Sequence, residues 1–309
     1  MDLTGKRVVV TGGAGFVGSH LADRLVDDAD VTVVDDCSNG REEWVPDAAT
    51  LVQGDLTDAT VVDGVITDET DVVCHFAASK DVDADAPRAQ FEDNVAMTHN
   101  VLERMDEVGV DRLLYTSSSV VYGEAPRPTP EDYGPLEPIS AYAAGKVAEE
   151  GLISTYAHSH GIQAWVFRFA NIVGPRLQPG AVIPDFVLKL QEDPETLTIL
   201  GDGRQEKSYM HVEDCLDAMT HVVANAEDSY NPYNLGTHTA TSVTNIADVV
   251  ADEMGLDPDY EFTGGDRGWT GDVPRMRLAI DRLTDLGWEP TLESDAAVRR
   301  ATRELLDEL

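Results

Sequence analysis

Along the first half of the chain, short apolar, β-branched runs alternate with longer stretches whose apolar positions recur at helical spacing. Arg7–Thr11, Val31–Asp35, Thr50–Gln53, Val72–Phe76, Arg112–Thr116 and Ala164–Arg168 read as strands. His20, Leu21 and Leu25 share the spacing of a helix after the first strand. Val95, Val101, Leu102 and Met105 predict a long helix over 91–108, and 141–160 predicts another. The strand runs are apolar without alternation, as in a sheet covered on both faces. Strands separated by helices imply βαβ units and a parallel sheet, hence an α/β fold. After Arg168 the alternation breaks. Pro175, Pro179, Gly180, Pro184, Pro194, Gly201 and Gly203 punctuate the chain and predict a smaller lobe of loops and short helices. The expected division is 1–173 for the sheet domain and 174–309 for the lobe, parts of which return to the sheet domain.

Composition adds limits to this pattern. With 309 residues and 42% hydrophobic residues, the chain can bury two lobes. No apolar run reaches the roughly 18 residues of a membrane span, and the start, Met1-Asp2-Leu3-Thr4-Gly5-Lys6, does not resemble a secretion leader. Cys37, Cys74 and Cys215 have neither disulfide-framework nor zinc-knuckle spacing, and the histidines show no metal-ligand spacing, so no metal is expected. The expected compartment is a reducing cytoplasm.

Charge changes the picture further. Asp and Glu number 58 against 22 Lys and Arg, a net charge of −36 spread over the whole chain. Only five lysines occur: Lys6, Lys80, Lys146, Lys189 and Lys207. A body so charged repels itself, and salt at about 1 M shortens the Debye length to about 3 Å and screens the repulsion. The expectation is a protein adapted to a very salty cytoplasm. The same charge argues against nucleic acid or an anionic membrane as partner.

Thr11-Gly12-Gly13-Ala14-Gly15-Phe16-Val17-Gly18 follows the first strand and opens a helix. Gly12 permits a tight turn, Gly15 lets backbone N–H groups approach a pyrophosphate, and Gly18 lets the helix pack closely. The helix N-terminus adds partial positive charge. Asp35 ends the second strand, 20 positions after Gly15, where a carboxylate accepts from a ribose diol and repels a 2′-phosphate. The expected cofactor is therefore NAD rather than NADP. Candidate contacts are Gly12, Gly15, Phe16, Val17, Asp35, Asn39, Asp55 and Leu56 after the third strand, and Ala77 and Ala78 after the fourth. Asp55 reads equally well as an ordinary loop acid.

Tyr142-Ala143-Ala144-Gly145-Lys146 opens the second long helix. Positions i and i+4 share a face, so phenol and ammonium lie close together. A tyrosine titrates near pH 10 in water, and the lysine together with a positive nicotinamide ring favours phenolate. The expectation is an unusually acidic phenol serving as base and acid. Upstream, Thr116-Ser117-Ser118-Ser119-Val120-Val121-Tyr122-Gly123 follows the fifth strand. Ligands of a parallel sheet bind beyond the carboxyl ends of its strands, and a serine there can steady a developing alkoxide.

These segments together resemble the extended short-chain dehydrogenase/reductase superfamily, and within it the NAD-dependent nucleotide-sugar epimerases of the UDP-glucose 4-epimerase group. Arg168–Arg176, Gly201–Gln205, Tyr209–Asp214, Tyr233–Gly236 and Gly271–Pro274 carry the resemblance through the second half. It implies a Rossmann-type doubly wound parallel sheet with a smaller C-terminal α/β substrate lobe. It also implies Ser118 as catalytic serine, with Ser119 its neighbour at the substrate, Tyr142 as acid/base, and Lys146 on the nicotinamide ribose. Lys80 and Asn94 would lie on the cofactor side. Asn171 would meet the sugar diphosphate, Lys207 and Arg267 the diphosphate or ribose, and Asp272 that ribose. Lys207-Ser208 stands where the family often has Arg-Asp, which keeps a charge but loses a bidentate fork. A homodimer through the two long helices is implied as well.

The serine loop separates the related reactions. Sugar 4,6-dehydratases of the superfamily carry an Asp-Glu pair after the serine position, and decarboxylases a Glu two before the Tyr-Gly. Those positions here are Ser119 and Val120. Without an acid to protonate a leaving hydroxyl, dehydration is disfavoured. The expectation is epimerisation at C4 through a transient 4-keto sugar. The rivals are another nucleotide-sugar enzyme of the superfamily (a reductase, a dehydratase or an epimerase of a different sugar) and a non-catalytic dinucleotide-sensing module.

Overall fold

The structure, a computed structural model, describes residues 3–79, 87–269 and 271–308. The chain runs β1 (Arg7–Thr11), α1 (Phe16–Leu25), β2 (Asp30–Asp35), β3 (Thr50–Gln53), α2 (Ala59–Val65), β4 (Val72–His75), α3 (Pro87–Val108), β5 (Arg112–Ser118), α4 (Ala141–Ser159) and β6 (Gln163–Phe169). It continues with β7 (Asn171–Val173), α5 (Val182–Glu192), β8 (Thr196–Ile199), β9 (Glu206–Lys207), β10 (Tyr209–His211), α6 (Val212–Asn225) and β11 (Tyr230–Leu235). The last elements are β12 (Thr241–Ser242), α7 (Val243–Met254), β13 (Asp259–Phe262), β14 (Arg275–Met276), α8 (Asp281–Asp285) and α9 (Ser294–Glu308). No described helix is long and apolar enough to cross a membrane.

Two compact units emerge. The first comprises Met1–Val121, Ala141–Arg168 and His221–Tyr233, and the second Tyr122–Ser140, Phe169–Thr220 and Asn234–Leu309. The chain thus passes between units several times.

The first unit holds a sheet of order β11-β6-β5-β4-β1-β2-β3. From β5 to β3 the neighbours pair in parallel. The order reverses between β1 and β4, whose last residues, Thr11 and His75, are register partners. A doubly wound sheet opens its ligand crevice at such a reversal. Val8, Val9 and Val10 are all buried, as the unbroken apolar run requires of a strand covered on both faces. The core adds Val101, Leu102 and Met105 of α3 to Ile153 and Ala157 of α4.

Several boundaries differ from the sequence reading. α3 starts earlier, at Pro87, because proline suits the first helical turn where no N–H is needed. α2 escapes the apolar pattern, being short, and is marked instead by its cap: Asp58 accepts from the Thr60 N–H at 2.9 Å. β5 runs on to Ser118, so that serine ends the strand instead of lying in the loop.

In the second unit, β9 lies between β12 and β14, β7 pairs with β10, and β8 with β13. Its core joins Ile183, Phe186 and Leu190 of α5, Ile246 and Val250 of α7, and Ala297, Val298, Ala301 and Leu305 of α9. The expectation of loops and short helices fails here, since α7 has 12 residues and α9 has 15. The prolines punctuate the turns without breaking helices. Pro184 sits in the first turn of α5, where a missing N–H costs nothing.

Candidate active site

The cofactor half of the site grows from the ends of β1, β2 and β4. Gly12 has φ +67°, and a Cβ there would come within 2.6 Å of the Ala77 backbone nitrogen. A Cβ at Gly18 would stand 2.3 Å from the Gly12 carbonyl oxygen. Gly18 therefore closes the helix onto the glycine turn itself. Gly15 is the N-cap of α1 and offers no side chain to the helix terminus, while Phe16 is buried at its first position and Val17 half-buried at its second.

Asp35 is only 8% exposed at the end of β2. Its two oxygens accept from the N–H groups of Ala14 and Cys37, each at 2.9 Å. Burial raises its pKa, against the lowering effect of those two bonds. Each carboxylate oxygen keeps a second lone pair, so a ribose diol can still donate to it. Asn39 is exposed in the following loop, Asp55 is exposed and bonded to the Thr57 N–H, and Leu56 is buried beside it. Ala77 and Ala78 are half-buried after β4. Asn94 of α3 brackets the Ser79 backbone, donating to its carbonyl at 2.9 Å and accepting from its N–H at 2.7 Å. Lys80 lies outside the described residues. This cradle, with side chains excluded from the glycine turn and a buried carboxylate at the strand end, suits a dinucleotide.

The catalytic half stands on β5 and α4. Ser118 is half-buried at the end of β5, and its Oγ accepts from the Val120 N–H at 3.4 Å. Ser119 is buried in the short 3₁₀ turn that follows. Ser117 turns inward and donates to Glu150 at 2.5 Å. Tyr142 keeps part of its surface exposed, and Lys146 Nζ lies 5.8 Å from its ring centroid.

The expected acidity of this phenol rests on two charges, Lys146 and a nicotinamide ring, and the chain supplies only the first. Burial pushes the Tyr142 hydroxyl above its ordinary range, Lys146 draws it down, and Glu149 pushes it up again. Within the chain itself, the lysine does not outweigh burial and the second charge.

Lys146 and Glu149 are each 1% exposed. Lys146 Nζ donates to the Tyr115 hydroxyl at 3.0 Å and to Glu149 Oε2 at 3.3 Å. That same oxygen accepts from the hydroxyls of Tyr115 and Thr98, at 2.7 and 2.8 Å. His75 Nε2 lies 3.0 Å from Thr98 Oγ1, and its Nδ1 lies 2.7 Å from Thr11 Oγ1. A hydroxyl has one proton to give. Thr98 spends its proton on Glu149, so His75 Nε2–H donates to Thr98, and Nδ1 accepts from Thr11. A buried polar chain thus joins the lysine to the strand end beneath the glycine turn. The sequence reading names Lys146 of this chain but not Tyr115, Glu149 or Thr98, because one more acid is inconspicuous among 58.

The second unit gathers the remaining candidates. Lys207 Nζ pairs with Asp272 Oδ1 at 2.6 Å and lies 4.9 Å from the Trp269 ring centroid. Asp272 is 2% exposed, and its other oxygen accepts from the Gly268 N–H at 3.0 Å. Arg267 donates to the Asp272 carbonyl and to Glu124. Asn171 begins β7, beside β10, and donates from its amide to the Ser208 carbonyl at 3.2 Å. Lys207, Arg267 and Asp272 are therefore mutually engaged. Glu124, which the sequence reading passes over, balances the arginine.

Reversed strand order, a glycine cradle with an acid ending β2, and a Tyr-Lys pair on one helical turn define a dinucleotide-binding α/β enzyme of the short-chain dehydrogenase/reductase type. The pattern of the NAD dependent epimerase/dehydratase family matches residues 8–236, and the chain belongs to that family. Its cofactor is NAD. A UDP-glucose 4-epimerase of Mycolicibacterium smegmatis is 34% identical over 298 residues, covering 92% of this chain and 93% of its own. A crystal structure of a UDP-galactose 4-epimerase superposes with a TM-score of 0.90 at 41% identity, covering 98% and 99% of the two chains. The dTDP-glucose 4,6-dehydratase of Streptomyces venezuelae, solved with NAD bound, superposes with a TM-score of 0.85 at 27% identity over 96% of each chain.

Proposed function

We propose that this enzyme epimerises a nucleotide sugar at C4, of the UDP-glucose/UDP-galactose type, through a transient 4-keto sugar. The observation that carries the reading is a Tyr142–Lys146 pair on one helical turn, in a chain whose serine loop bears no carboxylate. Positions 119 and 120, where relatives that remove a leaving group carry acids, are a buried serine and a half-buried valine. NAD, when bound, supplies the hydride acceptor and donor for C4 and a positive ring that favours phenolate. Tyr142 takes the C4 hydroxyl proton as the carbonyl forms and returns it as the carbonyl is reduced. Ser118 donates to the same oxygen and steadies its charge. The keto sugar turns over between the two half-reactions while its diphosphate stays anchored, so the product differs only at C4. Asn171, Lys207, Arg267 and Asp272 are assigned to the diphosphate and nucleoside. Lys207 and Arg267 each hold a carboxylate, Asp272 and Glu124, and could exchange that anionic partner for a diphosphate.

In concentrated KCl, purified enzyme should interconvert UDP-glucose and UDP-galactose without an added hydride acceptor, as followed by chromatography of the sugars. Tyr142→Phe should lower turnover at least a thousandfold, within the roughly 10²–10⁴ range of acid–base catalysis, while dinucleotide remains bound. Stoichiometric NADH release would identify a plain dehydrogenase instead, and an active Tyr142→Phe enzyme would remove the mechanism.

A further inference from the structure

We propose that Glu149 is a positioning residue of this reaction: through its contact with Lys146 it sets how strongly that ammonium acts on Tyr142, and with it the pH range in which Tyr142 works. The inference rests on the acid/base assignment made above.

The geometry begins with an imbalance. Glu149 Oε2 accepts three donors, from Lys146, Tyr115 and Thr98. Glu149 Oε1 is buried and has no partner among the described residues. It lies against α4 itself, 3.7 Å from where a Cβ on Gly145 would stand. A side chain needed only to accept the two hydroxyls and fill the space could be an amide, whose oxygen accepts equally well. What a carboxylate adds is charge, placed where little water screens it.

The groups facing it are few. From α4 come Lys146, Tyr142 and Glu150. From β5 comes Tyr115, from α3 Thr98, and from β4, one hydroxyl further, His75. Glu150 is committed elsewhere, to Ser117 and to Arg168 of β6. Burial and the Lys146 charge push His75 down to about 3, so it stays neutral through the working range. Lys146 is thus the cation of the cluster, and Glu149 its counter-charge. An ammonium with a carboxylate 3.3 Å away presents a smaller field to a phenol than an ammonium alone. This agrees with the opposed effects of the two residues on Tyr142.

An epimerase uses one phenol as base and then as acid in each cycle, so neither a strongly acidic nor an ordinary phenol serves both halves. Where a nicotinamide ring would add its positive charge to that of Lys146, Glu149 opposes the pull and keeps the phenol from becoming strongly acidic. In Glu149→Gln the ammonium acts unopposed and the phenol becomes more acidic. The acid limb of the kcat profile should then move down by about one pH unit, with KM near the parental value. The ultraviolet titration of the Tyr142 phenolate, isolated as the difference from Tyr142→Phe in the NAD-loaded protein, should move the same way. Glu149→Asp, which keeps the charge, should bring both back toward the parental position. Should the glutamine variant fail to fold, Glu149→Ala carries the same expectation. A phenolate titration that stays in place, or moves up, in a folded variant lacking the charge overturns the inference. That readout needs no turnover, so it is separable from failure of the proposed function, which an active Tyr142→Phe enzyme would reveal.

Discussion

At position 75 a histidine with both ring nitrogens hydrogen-bonded sits beneath the cofactor cradle, 1% exposed. Burial and the nearby Lys146 charge lower it from its ordinary 6.5 to about 3. A group held below its unfolded value contributes its full stability above that value and loses it as the pH falls toward the folded one. The cost of forcing this ring to charge therefore accumulates between pH 6.5 and 3, at up to about 1.4 kcal/mol per pH unit. Thermal unfolding followed across that window should fall more steeply for the parental protein than for His75→Gln. Carboxylates titrate there too, so the difference between the two curves carries the result, and superimposable slopes would contradict it. Of these single-residue properties, the sequence reveals only that a histidine ends an apolar strand. Its tautomer depends on Thr11 and Thr98, which arrive from β1 and α3.

Among the elements, β5, α4 and β6 are fastened by one buried pair. Arg168 of β6 meets Glu150 of α4 at 2.6 Å, with side-chain exposures of 7% and 6%, and Ser117 of β5 donates to the same carboxylate. Breaking such a pair from one side leaves an uncompensated charge in a dry site, at a cost of about 3–5 kcal/mol. Arg168→Met should lose about that much in a denaturant titration. Because Ser117 precedes Ser118, the serine loop should also lose order, seen as faster amide exchange over 117–122. A loss below 1 kcal/mol would mean that water reaches the pair. The elements themselves were largely legible. Six strands and two long helices follow from apolar spacing, since a doubly covered sheet writes its burial into continuous β-branched runs. The second unit was less legible. Its strands have two to four residues, too short to show a period, and its prolines read as breaks though Pro184 sits inside a helix start.

For the whole molecule the dominant quantity is a net charge of −36. Self-repulsion of that size weakens a compact state in dilute buffer and is screened once the Debye length shrinks to about 3 Å, at about 1 M salt. The melting temperature should climb steadily as KCl rises from millimolar to molar concentration, and part of that gain should persist in NaCl. Equal melting in both extremes would rule out adaptation to salt. Charge, glycine spacing, the acid at the end of β2 and the Tyr-Lys step are local features, each complete within a few residues, and so the sequence alone determined the α/β class, the NAD cradle and the acid/base candidate. Tertiary structure alone decided which charges meet. Glu150 against Arg168, Asp272 against Lys207 and Glu124 against Arg267 are drawn from 58 acids and 22 bases that look alike along the chain. Electrostatic partners are chosen by distance and by the exclusion of water, and neither is written in a linear order of residues.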